Sequence, residues 1–231
     1  MTGAGSGEKS LLVLGFESAH HSVVEPMGLV LDIAREHGGE PGEVRTQAPS
    51  TTSGGEASDR HTSDEDSVGA WRSAFLLAPY LRDTFVACGV LSETFETAIT
   101  WDRFEDFHAT TMDAVRRKVA EVCDAPADGP GSPRVSCRFT HVYPDGPAPY
   151  FTIMAPAVRG GEVEQWDEIK SAAAEAVIEG GGTITHHHAV GRDHRPWYDR
   201  QRPAPFAAAL RAAKAELDPA GMLNPGVLID P

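Results

Sequence analysis

The sequence predicts an α+β fold, an antiparallel sheet covered by helices with a C-terminal helical tail, and three observations carry that expectation. Two β-like runs, Val135 to Tyr143 and Pro149 to Ala155, are separated by Pro144-Asp145-Gly146-Pro147, a turn signal short enough to pair them antiparallel. Amphipathic helical stretches flank that hairpin, from Trp101 to about Val122 and from Gly161 to Gly180. Strands and helices alternate without an internal repeat, so one layer of sheet and one of helices is the simplest way to bury both apolar surfaces.

In chain order, Met1 to Ser10 is small and polar and is expected to be disordered. Leu11-Leu12-Val13-Leu14-Gly15-Phe16-Glu17 is an apolar run that begins to alternate, which predicts a buried strand. Val24, Met27, Val30, Leu31 and Ala34 recur at helical spacing until His37-Gly38-Gly39. From Glu40 to about Gly69 almost no aliphatic residue occurs, so a mobile surface loop is expected. Trp71 to Asp83 reads as two short helical pieces divided by Pro79, which lacks an N–H and disfavours helix in the residue before it. Val90 to Thr100 alternates as a strand. After the hairpin and the helix ending at Gly180 come three consecutive histidines, then Arg192-Asp193-His194-Arg195-Pro196-Trp197-Tyr198, a cationic and aromatic loop suited to a phosphate or an anionic cofactor. Phe206 to Leu217 is a last amphipathic helix, stopped by Asp218-Pro219 and followed by an apolar tail. This organisation predicts a substrate or cap domain over residues 11–200, with its loop at 40–69, and a C-terminal helix and tail over 201–231.

Composition narrows the function. The 231 residues are 41% hydrophobic and 23% charged, as in a globular protein, and the formal charge of −14 makes nucleic acid an unsuitable partner. No apolar run reaches the roughly 20 residues of a membrane helix. Cys88, Cys123 and Cys137 are odd in number and lack CxxC spacing, which fits structural thiols in a reducing cytoplasm.

Few motifs carry chemistry. No GxGxxG, Walker, HExxH or GxSxG pattern occurs. The stretch Gly180-Gly181-Gly182-Thr183-Ile184-Thr185-His186-His187-His188-Ala189-Val190-Gly191 is either a surface tract or a site. In an extended segment His186 and His188 would face away from His187, and a tight turn is needed to bring neighbours together. Zinc would require further ligands that no spacing specifies, so no metal is assigned. Tyr150 opens a strand; as a proton acceptor it needs a cation nearby, and Arg82 and Arg138 are both candidates.

Taken together, Tyr80 to Asp83, Glu93 to Arg103, Cys137 to Tyr143, Tyr150-Phe151, Gly181 to Gly191 and Leu217 to Gly226 resemble, in the same order, the alkylglycerone-phosphate synthases. These are FAD-linked oxidases of the vanillyl-alcohol-oxidase type. The resemblance implies a FAD-dependent transferase on an oxidoreductase scaffold that exchanges the acyl group of acyl-dihydroxyacetone phosphate for a fatty alcohol in ether-lipid synthesis. By position it implies Tyr150, Arg82, His187 and His188 as catalytic residues, His186, Arg138 and Asn224 as cofactor-binding, and Phe16 with Arg82 as substrate-binding. The FAD-binding domain of that family has no counterpart here, so the resemblance implies a C-terminal part needing a FAD-binding domain or chain as partner. It leaves open a general FAD-linked oxidase or dehydrogenase of a hydroxy acid or alcohol, and a non-catalytic remnant. A phosphorylated lipid substrate, a cytoplasmic location with peripheral membrane contact, and a homodimer are further expectations.

Overall fold

The computed structural model describes residues 10–42, 44, 67–126 and 129–230. The chain forms two compact units, Met1–Ala78 and Pro79–Pro231.

In the first unit the strand expected at Leu11 to Glu17 does not form: Leu11, Leu12, Val13, Leu14 and Phe16 are exposed and irregular. A strand is held by a ladder partner and a buried face, and among the described residues this run has no ladder partner. Helix α1 (Val24–Glu36) ends at His37, with Gly38 at φ 80. Of the expected loop, Glu43 and 45–66 lie outside the described residues, as do residues 1–9 of the expected disordered N-terminus. The loop's end is already helical, because α2 runs continuously over Ser67–Ala87 and passes through Pro79. The expected break is absent: a proline removes a single amide donor, which a helix of 21 residues can absorb.

The second unit is built on a three-stranded antiparallel sheet, β1 (Val90–Glu96), β2 (Arg134–Val142) and β3 (Pro147–Pro156), in the order β1-β3-β2. The β2–β3 hairpin turns at the expected Pro144-Asp145-Gly146-Pro147. Gly146 is required there, because a Cβ would overlap the carbonyl oxygen of Ile99. Regular pairing of β1 stops at Glu96, short of the expected Thr100. The amides of Thr97 and Ile99 still donate to the carbonyls of Pro149 and Pro147, but neither proline has an N–H to return.

Two helices, α3 (Trp101–Cys123) and α4 (Glu162–Glu179), cover one face of the sheet, and both lie where the apolar spacing predicts. Leu91 and Phe95 of β1, Phe151 and Ile153 of β3, and Val135 of β2 meet Phe107, Val115 and Val119 of α3 and Ile169, Ala173 and Val177 of α4. Phe95 and Phe151 stack with centroids 4.5 Å apart. Each such side chain, fully buried, contributes about 1.5–3 kcal/mol over exposure. One charged pair sits in this layer: Lys170 of α4 bonds Glu93 at 2.8 Å, and the Trp166 indole donates to the other oxygen of Glu93 at 2.7 Å.

The short α5 (Arg195–Gln201) replaces the loop expected around Arg192 to Tyr198, with Pro196 at its start, where the missing amide is no loss. Helix α6 (Ala204–Leu217) follows, as the sequence predicts.

Candidate functional site

Successive strand residues alternate between faces, so the sheet face opposite α3 and α4 carries its own set of side chains. Registration aligns Glu96 with Tyr150 and Tyr150 with Arg138, which makes one transverse row across all three strands. The Arg138 guanidinium lies over the Tyr150 ring, 4.3 Å from its centroid. Of the two cations the sequence left open as partners of Tyr150, Arg138 is therefore the one beside it. Arg82 lies on the helix-covered side, where it reaches Glu93 at 4.0 Å and lines a cavity of about 220 Å³ with Val86, Leu91, Val163 and Trp166. Arg82 is thus placed beside Glu93, whose side chain faces away from the Tyr150 row.

Glu96 is 1% exposed and organises the row's end. Its Oε1 accepts hydrogen bonds from the amides of His186 (2.6 Å), His187 (2.6 Å) and His188 (2.7 Å) and from the Thr185 hydroxyl (2.7 Å). Burial works to raise the Glu96 pKa, but these donors outweigh it and hold the carboxyl below its ordinary range. Three successive amides converging on one oxygen require a curled backbone. The histidines therefore fan out instead of alternating, and this is the tight turn that neighbouring histidines need in order to act together.

The fan has three directions. The ring of His186 meets Tyr143, whose hydroxyl is 3.1 Å from Nε2, and lies 5.0 Å from the ring of His141. His187 lies 5.5 Å from His141 and 6.2 Å from Tyr150, and His188 is 5.4 Å from Tyr150, edge to face. Burial, chiefly, lowers the His188 pKa against the opposing field of Glu96, which favours the neutral imidazole. The second oxygen of Glu96 has no hydrogen-bond partner among the described residues, yet stands 3.5 Å from His186 Nδ1 and 3.2 Å from His187 Nδ1.

The loop's base is equally fixed. Thr97 donates to the Thr183 carbonyl at 2.6 Å, and Gln201 of α5 bridges Gly182 and Ile184. His194 is buried and its Nδ1 pairs with the Ala189 carbonyl at 2.9 Å.

His141 reaches this face because β2 is irregular. A register shift between Phe139 and His141 leaves Thr140 as an extra residue, so Arg138 and His141, an odd number apart, pair with Tyr150 and Ala148, an even number apart. The sequence reading assigned no role to His141, Tyr143 or Glu96. A strand-end glutamate opposite Tyr150 would have been visible from correct registration, whereas the bulge has no sequence signal beyond the prolines of β3.

Within the second unit, Asn224 and the expected arginines are not gathered here, and Phe16 belongs to the first unit. Asn224 sits in a C-terminal turn at φ 48, its carbonyl accepting from Val227. The arginines expected to meet an anionic cofactor have partners within the chain. Arg195 binds Asp199 and Asp230, Arg200 binds Glu175, Arg202 binds Asp199, and Arg192 donates to the Pro225 carbonyl.

Fold and site together define an α+β domain that presents a tyrosine, an arginine and a histidine fan on the sheet face opposite its helices. The chain belongs to the family described as FAD linked oxidases, C-terminal domain, whose model matches residues 3–228. The alkyldihydroxyacetonephosphate synthase of Caenorhabditis elegans is 36% identical over 169 residues, covering 72% of this chain and 27% of that protein. The enzyme of the same name from Trypanosoma brucei brucei is 29% identical over 159 residues, 69% of this chain and 25% of that protein. Glycolate oxidase subunit GlcD of Bacillus subtilis is 37% identical over 65 residues, 28% of this chain and 14% of that protein. The chain thus spans about a quarter of the length of the two synthases.

Proposed function

We propose that the chain is the C-terminal, substrate-binding part of a FAD-dependent enzyme like alkylglycerone-phosphate synthase, exchanging the acyl group of acyl-dihydroxyacetone phosphate for a fatty alcohol. The observation that carries this reading is the transverse row Glu96–Tyr150–Arg138 with His187 and His188 against the tyrosine. The polar donors of this face fit a flat, acceptor-rich cofactor, and FAD when bound supplies the ring on which group exchange depends. Arg138 and His186 would hold it, with Asn224 retained from the family resemblance.

The chain's own residues account for the proton steps. Tyr150 takes a proton from the carbon next to the substrate carbonyl. Arg138 offsets the negative charge that develops, and His188, whose neutral form burial favours, accepts a proton and later returns it. Glu96 does not touch substrate; it fixes the backbone from which all three histidines project. Arg82, with its cavity of Val86, Leu91, Val163 and Trp166, is retained as a substrate contact remote from Tyr150. Phe206, Leu217, Met222 and Leu223 are at least half exposed on α6 and the tail, which supports contact with a FAD-binding domain or chain. Among the described residues no helix is long and apolar enough to cross a membrane, and a cytoplasmic, membrane-peripheral place and a homodimer belong to the same proposal.

The test joins this chain to a FAD-binding half and follows alkyl-for-acyl exchange. Tyr150→Phe should lower turnover about 100-fold or more with flavin retained; unchanged turnover removes Tyr150 from the chemistry. The match to a glycolate oxidase subunit favours a second reading, hydroxy-acid oxidation, which would appear as dye reduction without exchange.

A further inference from the structure

We propose that His141, His186 and His187 bind one divalent transition-metal ion of the zinc and cobalt class, with Glu96 as the carboxylate that orients two of the three ligands. The inference goes beyond the flavin reading and does not rest on it.

Each of the three histidines offers a ring nitrogen, and these nitrogens lie within 4.8 Å of one another. Nitrogens bound tetrahedrally to one zinc ion at about 2.0–2.1 Å stand about 3.3–3.4 Å apart, so the rings must rotate inward by a little over 1 Å to close on an ion. Room for that rotation exists: His141 and His187 are exposed and His186 is partly so, while their backbones are fixed by the β2 ladder and by Glu96.

The second observation is the orphaned polar atoms beneath the cluster. Glu96 Oε2 and His186 Nδ1 are both buried without a hydrogen-bond partner, and Oε2 lies 3.5 Å from that nitrogen and 3.2 Å from His187 Nδ1. A buried carboxylate this close to the Nδ1 atoms of two imidazoles favours the tautomer with hydrogen on Nδ1, which makes the Nε2 lone pair of each the ligand. His141 is turned the same way, its Nδ1 against the Thr140 hydroxyl at 3.2 Å. On ion binding His186 Nε2 exchanges its contact with the Tyr143 hydroxyl for the metal.

Neutral imidazoles select borderline ions such as Zn²⁺, Co²⁺ and Cu²⁺ over Mg²⁺ and Ca²⁺, which take oxygen. Three protein ligands leave one coordination position for water or for an oxygen of a bound substrate. Because Glu96 also anchors His188, the ion and the Tyr150 neighbourhood share one support.

The chain as it stands is titrated with Co²⁺ and followed by visible absorption, with Zn²⁺ competition. One ion per chain is expected. His141→Ala and Glu96→Gln should each weaken binding at least 10-fold, whereas His20→Ala with His21→Ala, a second adjacent pair in the sequence, leaves it unchanged. Imidazole resonances of the unmodified chain give a readout that needs no variant: Zn²⁺ should move His141, His186 and His187 and spare His194. Binding that survives His141→Ala undiminished, binding of several ions with no single site, or shifts confined to His20 and His21 would overturn the proposal.

Discussion

Two buried glutamates stand three residues apart on β1 and are satisfied in opposite ways. Glu93 faces the helices and is neutralised by a cation, Lys170, with the Trp166 indole on its other oxygen. Glu96 faces the other way and is held by three amides and a hydroxyl, all on one oxygen. The first arrangement uses up both oxygens and both charges, so it can only fasten α4 to the sheet. The second keeps a full negative charge and leaves an oxygen unpartnered among histidines. A buried charge that is closed by a counter-ion serves packing, and one that is solvated by backbone dipoles is available to act on its neighbours.

Breaking the Glu93 side should have the largest effect. Lys170→Met leaves the buried carboxylate with only the longer contact to Arg82 at 4.0 Å and should cost about 3 kcal/mol by urea unfolding, most of it recovered when Glu93→Leu is added. A loss under about 1 kcal/mol would mean that the pair is not the fastening it resembles. Glu96→Gln retains an acceptor oxygen and the side-chain shape but makes every donor contact neutral, so about 2 kcal/mol is expected. If the comparison holds, this smaller stability loss accompanies the larger disturbance of the histidine rings, visible as a change in their NMR shifts that Lys170→Met does not produce.

The smallest effects concern groups away from both. The Arg200 guanidinium and the Trp197 indole hold Glu175 down to about 2, from an ordinary value of 4.5. Its folded form binds protons less readily than the unfolded chain, so its contribution is present above pH 4.5 and is lost as pH falls toward about 2. The Trp197 indole N–H resonance of the folded chain should shift with its midpoint near that lower value of about 2. Burial pushes the Cys137 thiol up to about 12 and also raises Cys123, whereas Cys88 is exposed. A thiol reagent at pH 8 should therefore label Cys88 at once and the other two only on unfolding.

Periodic features of the fold were legible in the sequence. The stripe of Phe107, Val115 and Val119 placed α3, that of Ile169, Ala173 and Val177 placed α4, and Pro144 to Pro147 placed the hairpin. Apolar content alone misled at Leu11 to Glu17, because pairing is non-local and a run of leucines says nothing of a partner. Proline was over-read at Pro79. In the site, Tyr150 and the histidines were legible as residue types, and their family likeness supplied roles. What joins them was not: Glu96 lies about 90 residues before the amides it binds, and the Thr140 irregularity that brings His141 to the face of the histidine fan shifts register by a single residue. Arg82 and Arg138 were equivalent candidates until strand alignment separated them.

That long separation between Glu96 and the histidine amides, 90 to 92 residues, has a consequence for dynamics. The bonds that shape the fan close one of the longer loops in the second unit, so loop-closure entropy predicts that they form after β1 has paired with β3 and α4 has packed on the sheet. The curl at His186 to His188 is then no local flap with its own opening equilibrium. It is tied to the cooperative unfolding of the whole sheet, and its three amide hydrogens exchange with solvent on the slow timescale of that event.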